Sequence, residues 1–183
     1  MGGTFRLTLS RGHNCAHPVE VTDVLDYTLV TPKATYRPIT PIDVPGFLHL
    51  AAGRFREEAP ELEISADQIL LTVRELQRHK EKGSILVFER EECLVGYCIL
   101  IPCWSNTHGG MLLVIDELYV TPAAREQGIA EDFITLLKKA APRECVGLRL
   151  EVPRAGRKVM GAWRKLGFDE SEGTTLTLKV DRS

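Results

Sequence analysis

A chain of 183 residues, 44% hydrophobic and 26% charged, is expected to fold as one soluble globular domain with its own core. Its formal net charge of −2 supplies no basic surface for nucleic acid. No window approaches the roughly eighteen apolar residues of a membrane span, and the longest, residues 94–104, is interrupted by Gly96 and Pro102. The five cysteines, at 15, 93, 98, 103 and 145, form no close metal-ligand pairs; no metal site is expected, and a reducing cytoplasm is.

In chain order, residues 1–34 show no clean period, although residues 5–9 alternate like a short strand and His13, Cys15 and His17 cluster without a second ligand pair. They read as an N-terminal extension packed on, or tethered to, a main domain of residues 35–183. Residues 36–39 suggest a strand. Asp43 is expected to cap a helix with Pro45 in its first turn and Val44, Phe47, Leu48, Ala51 and Phe55 along its apolar stripe. Ser65 and Gln68 form a capping-box pattern opening a second helix through Ile69, Val73 and Leu76, ended by Gly83. Residues 84–89 and 93–104 read as strands joined by a charged turn at Arg90, Glu91 and Glu92.

A loop at 105–110 leads into an apolar run, residues 111–115, which continues as Asp116, Glu117, Leu118, Tyr119 and Val120. Next come a turn carrying Pro122 and then Gly128, at the mouth of a helix with Ile129, Phe133, Leu136, Leu137 and Ala140 at helical spacing. Residues 146–152 read as a strand. Pro153 and Gly156 precede a helix with Val159, Ala162, Trp163 and Leu166 on one face, closed by Gly167. Residues 174–180 read as a final strand. Hairpins followed by strand–helix–strand units imply an α/β (α+β) fold: a mixed, mostly antiparallel sheet with helices on both faces. Arg154, Arg157, Lys158, Arg164 and Lys165 read as a solvated basic face.

The turn before the central helix is the chemical signal. A helix opening on a small flexible segment leaves several N–H groups unpaired, and these, with the helix dipole, favour an anion such as pyrophosphate. Arg125 stands at its lip.

Arg125, Gly128 and Ala130 occupy the three defining places of a pattern (Arg or Gln, two residues, Gly, one residue, Gly or Ala) that opens a helix directly after a strand. With Val120, Thr121 and Pro122 at the strand end, and Arg164, Lys165, Leu166, Gly167 and Phe168 about forty residues on, the chain resembles the GNAT superfamily of N-acetyltransferases over residues 36–180. The resemblance implies acetyl-CoA as co-substrate, an amine as acceptor and no metal. A second copy of the chain is a candidate partner; nucleic acid and membrane are not. Pyrophosphate would lie on the backbone N–H groups of Glu126, Gln127, Gly128, Ile129 and Ala130. Pantetheine would run like an extra strand along Leu118, Tyr119 and Val120, where the family's fourth and fifth strands splay, and an N–H near Leu118 would steady the oxyanion.

An attacking amine is mostly protonated at neutral pH, so a carboxylate is needed to take its proton. Asp116 and Glu117 are adjacent and point to opposite faces of the strand. Glu117 is the preferred base and Asp116 the alternate; a salt bridge from the carboxylate to Arg149 is the competing structural reading. Three departures from the family pattern stand out. Trp163 replaces the Tyr that usually returns a proton to the thiolate, Gly156 replaces an Asn cofactor contact, and Glu126 brings a carboxylate to the phosphate turn. Tyr97 and Tyr119 are candidate substitutes for the acid. Glu57, Glu58, Glu61 and Glu63 read either as an entrance for a cationic acceptor or as a solvated acidic loop. An acyl-CoA-binding regulatory domain without catalysis is the alternative function, favoured by Trp163 and Gly156.

Overall fold

The computed structural model describes residues 28–170, apart from 59, 62–63, 143 and 153–159. Expectations at residues 5–9, His13, Cys15, His17, Glu63, Arg154, Gly156, Arg157, Lys158 and 174–180 lie outside the described residues. One six-stranded sheet keeps chain order across its width: β1 (Leu29–Val30), β2 (Thr35–Pro38), β3 (Ser84–Arg90), β4 (Cys93–Ser105), β5 (Gly110–Val120) and β6 (Cys145–Leu150). Neighbours from β1 to β5 run antiparallel, while β6 lies parallel to β5. A parallel neighbour needs a crossover, and α3 (Ile129–Ala140) supplies it. The other helices are α1 (Val44–Glu58), α2 (Ala66–Arg78) and α4 (Met160–Lys165). The expected mixed, mostly antiparallel fold class is the one observed.

Alternation along the strands builds two cores. Leu86, Phe88, Cys98, Leu100, Leu113 and Ile115 pack with Ile129, Phe133, Ile134 and Leu137 of α3 on one face. Ile85, Tyr97 and Ile99 meet Phe47, Leu50 and Ala51 of α1 and Ile69, Val73 and Leu76 of α2 on the other. Because both faces are covered, β3 and β4 read in sequence as continuous apolar runs. Full burial of a side chain such as Phe133, with 0% exposure, contributes about 1.5–3 kcal/mol.

Three boundaries differ from the sequence reading. The sheet begins at Leu29, inside the segment assigned to the extension; two residues are too few to show a period, and the pairing is set by the turn in which Thr31 N–H donates to Ala34 O at 3.0 Å. Asp43 does not cap α1 directly. It closes a 3₁₀ turn, Pro41–Asp43, that runs into the helix, and its carboxylate reaches back to Thr40 N (2.8 Å), Thr40 Oγ1 (2.6 Å) and both Arg37 Nη atoms (2.7 and 2.9 Å). Gly83 follows α2 only after a second 3₁₀ turn, Lys80–Lys82. The Ser65–Gln68 capping box forms as read, with both reciprocal bonds at 2.9 and 3.2 Å.

Candidate active site

The site is made by one extra residue in β5. Leu113 and Ile115 face α3, so strict alternation would send Glu117 and Tyr119 to the same face. The β4–β5 register skips there: Leu100 pairs with Ile115, Ile99 with Glu117, and Asp116 has no opposite number. A one-residue bulge reverses the face of everything beyond it. Glu117 and Tyr119 therefore turn toward α1, Leu118 and Val120 take the α3 side, and Asp116 is left exposed.

Beyond the bulge β5 also loses its other neighbour. Pairing with β6 ends at Ile115 and Leu150, so among the described residues 116–120 are paired only to β4. This is the splay at which an extended pantetheine arm would find free backbone groups beside Leu118, Tyr119 and Val120. The Val120 carbonyl is already engaged, accepting from Arg125 Nε at 2.9 Å.

Glu117 is 16% exposed and held on two sides. Tyr97 Oη donates to its Oε2 at 2.6 Å, and Arg54 Nη1 lies 3.2 Å from Oε1. Arg54 Nε in turn lies 2.9 Å from Glu58 Oε2, although it is not aimed along a hydrogen bond. Burial pushes the Glu117 carboxyl above the ordinary glutamate range and outweighs the Arg54 charge and the Tyr97 hydrogen bond, which pull it down; Asp116 adds to the rise. The competing reading, a salt bridge to Arg149, is not formed. Arg149 sits on β6 opposite Val114, short of the bulge, and Arg54 of α1 takes its place.

The turn read as a cofactor site is shaped by two left-handed residues, Glu126 (φ +62°) and Gly128 (φ +71°). Asp132 N–H donates to Gly128 O at 3.0 Å, and among the described residues no backbone carbonyl receives the N–H of residues 126–131. Ile129 is buried beneath the turn, Ala130 is half-buried, and the Glu126 side chain is exposed to solvent, where it need not crowd an anion. Gln127 pins the turn from both sides: its Oε1 accepts from Arg90 of β3 and its Nε2 donates to Ala123 O at 3.1 Å. The N–H groups that open α3, residues 129–131, with no carbonyl partner among the described residues, and the unpaired strand edge would suit pyrophosphate and pantetheine in turn.

Arg125 is not free at the lip. Its Nη2 lies 2.6 Å from Glu57 Oε2 and its guanidinium stands 5.5 Å from the Tyr119 ring centroid, tying the turn to α1. Lys33 is a further cation at the rim, its Nζ donating to Gly128 O at 3.2 Å. The β1–β2 turn that carries it is anchored by Thr31 Oγ1 to Asp132 Oδ2 (2.6 Å), beside Tyr36 Oη to the same oxygen (2.8 Å). Lys33 was hidden in the sequence by its place in the unpatterned N-terminal segment.

Glu57 and Glu58 belong to the last turn of α1 rather than to a loop, and Glu57 is occupied on both oxygens, by Arg125 and by Tyr119 Oη at 2.7 Å. The open acidic entrance is thus not built from these two residues. A cleft of about 430 Å³ lies beside them, with His49, Gly53, Arg56 and Glu57 of α1 on one wall and Tyr119 with residues 121–123 on the other. Neither candidate proton donor is primed. Burial raises the Tyr97 hydroxyl well above an ordinary phenol, and burial with the Glu57 bond pushes Tyr119 up to about 12. Trp163 packs edge-on against Phe168, ring centroids 6.2 Å apart, as part of the α3-side core.

Residues 47–168 match the model of the Acetyltransferase (GNAT) family. Among solved structures, a possible acetyltransferase from Clostridium difficile 630 superposes with a TM-score of 0.69 at 20% identity, covering 80% of this chain and 97% of that one. Ribosomal-protein-alanine N-acetyltransferase from Brucella melitensis biovar Abortus 2308 gives 0.63 at 19%, covering 81% and 99%. Aminoglycoside N-acetyltransferase AAC(6')-Iy, in complex with CoA, gives 0.64 at 14%, covering 82% and 99%. No curated protein sequence matches the chain. With two thirds of its length under the family model, the chain belongs to the GNAT family of acetyltransferases.

Proposed function

We propose that the protein is an N-acetyltransferase that moves an acetyl group from acetyl-CoA to a primary amine of a small molecule or peptide. The observation that carries this reading is the bulge at Asp116, which sets the enclosed Glu117 carboxylate beside a strand edge left open by β6. Acetyl-CoA, when bound, supplies an activated acyl group as a thioester. Residues 126–130 would hold its phosphates through backbone N–H groups, and residues 118–120 its pantetheine. Glu117 accepts one proton from the ammonium, whose freed lone pair can then attack. Arg54 and Tyr97 keep the carboxylate aimed and stabilise its ionised form. As the C–N bond forms and the C–S bond breaks, the second nitrogen proton goes to the sulfur by way of solvent. A thiol of ordinary pKa ~8.5 leaves tolerably without a dedicated acid. A cytoplasmic location belongs to the same proposal and is supported by the free thiols of Cys93, Cys98, Cys103 and Cys145.

A second reading, acyl-CoA binding without transfer, is favoured by Trp163, since an indole packed on Phe168 supplies no proton. Thiol release from acetyl-CoA across an amine panel, with calorimetric titration of acetyl-CoA alongside, separates the two. Turnover above the hydrolysis background is expected. Tight cofactor binding with no turnover on any amine would leave the second reading standing.

A further inference from the structure

The cleft between α1 and the end of β5 has a charge character that the sequence does not suggest. Its α1 wall presents His49 and Arg56, seven residues apart and so on one helical face. Glu57 supplies the cleft's carboxylate, but both of its oxygens already accept, from Tyr119 Oη (2.7 Å) and from Arg125 Nη2 (2.6 Å). Arg56, by contrast, is exposed and enters no side-chain hydrogen bond or ion pair within 4 Å among the described residues, although its charge also bears on Glu57 and Tyr119 nearby. Among the described lining residues, the charged group left unengaged in the cleft is thus a donor, the Arg56 guanidinium. Its volume of about 430 Å³ falls within the range of small-molecule sites. Tyr119 stands two residues from Glu117 on the same face of β5, so the candidate base is about 7 Å along the strand from the cleft wall.

We infer that the acceptor amine carries an anionic group, a carboxylate or a phosphate, which docks on Arg56 with His49 beside it while the amine reaches Glu117. This rests on the acetyltransferase reading above and deepens it. The acidic residues near α1 suggested a cationic entrance; once Glu57 is neutralised within the fold, the remaining recognition charge is of the opposite sign. The cofactor's own phosphates are the other source of an anion with this chemistry, and the experiment must tell the two apart.

The test pairs amino acids and aminoalkyl phosphates with their neutral counterparts, amino-acid amides and amino alcohols, and reads binding by calorimetry to the full chain loaded with CoA, with no turnover required. At least one anionic amine is expected to bind roughly 10-fold or more tightly than its neutral partner. Arg56→Gln should reduce that preference to within about twofold, and Arg56→Lys should restore part of it. Circular dichroism and melting of each variant check that the fold is kept, which is expected for an exposed side chain. Equal or tighter binding of the neutral amines, or no binding of any anionic amine, would overturn the inference. So would an Arg56→Gln loss that falls on acetyl-CoA affinity, which would assign the cleft to the cofactor. Because binding is read separately from thiol release, an enzyme that turns over only neutral amines defeats this inference alone, whereas absence of all turnover defeats the proposed function.

Discussion

Tyr97→Phe is the sharpest probe of the candidate base. Tyr97 is fully buried, its ring stacks edge-on with Phe47 at 4.9 Å, and its hydroxyl donates to Glu117 Oε2 at 2.6 Å. Phenylalanine keeps the ring packing and removes one donor. Burial already raises the Glu117 carboxyl, while the Tyr97 bond and Arg54 work against that rise. Deleting the donor destabilises the ionised form more than the neutral one, so the carboxyl moves further up. A hydrogen bond to a charged group contributes about 1.5–3 kcal/mol, part of which the neutral acid also enjoys. At ~1.36 kcal/mol per pH unit, the acidic limb of kcat/KM should move to higher pH by about one unit. The sign follows from the role: a base acts when deprotonated, so activity falls earlier on acidification in the variant. The measurement is kcat/KM by thiol release from pH 5 to 9, wild type against Tyr97→Phe, with a melt to confirm folding. A limb that stays in place, or moves to lower pH, would show that the titrating base is not the carboxylate bonded to Tyr97.

Other outcomes follow from the same geometry. Glu117→Gln keeps one acceptor oxygen, so it can still accept from Tyr97 or from Arg54 but not from both in place, and it cannot take a proton; kcat/KM should fall by about 10²–10⁴ while calorimetry finds acetyl-CoA affinity within about twofold, and a fully active variant removes Glu117 from the mechanism. Gly128→Val places a β-branched residue at φ +71° with its Cβ against the movable Lys33 Nζ. The protein should stay folded at a cost of about 1–2 kcal/mol but lose measurable acetyl-CoA binding; unchanged affinity would put the pyrophosphate elsewhere. Asp43 is 6% exposed, and its Arg37 and Thr40 bonds hold its carboxyl at about 2 rather than 3.8, a preference for the ionised form of about 2 kcal/mol. That stability is fully present above the unfolded value and is lost as pH falls through the folded one. Asp43→Asn should lower Tm by roughly 4–8 °C at pH 7, with the gap narrowing only below about pH 5; a gap that widens on acidification would refute the assignment.

The residues that made the fold legible were those whose cause is local. The capping box at Ser65 and Gln68 formed because its partners lie three residues apart. The apolar spacing of α3 was readable because helical period is written in neighbouring residues. The turn around Gly128 could be placed for the same reason, a strand ending at Val120 and a helix opening at Ile129 with a residue between them able to take a left-handed backbone. The absence of the usual tyrosine at Trp163 was plain, whereas the alternation read at Asp116 and Glu117 is interrupted by the bulge between them.

What depended on distant partners was not legible. Which carboxylate turns inward is decided by the register of β4 against β5, because the unpaired Asp116 arises only when Ile99 and Leu100 pair around it. Arg125 was read only as standing at the lip of the turn; that its charge is met by Glu57, 68 residues earlier in the chain, is set by the tertiary fold. Lys33 reaches Gly128 across 95 residues, from a two-strand turn too short to show a pattern. By itself the sequence determined the main helices and strands, the turn before α3 and the family resemblance, since periodicity and capping act within a few residues. Only the tertiary structure decided the direction of Glu117, its partners Arg54 and Tyr97, and the sign of the charge left open in the neighbouring cleft. Those are set by side chains that meet only when helix α1 is laid across the bulged strand, and charge is neutralised by whatever lies nearest in space.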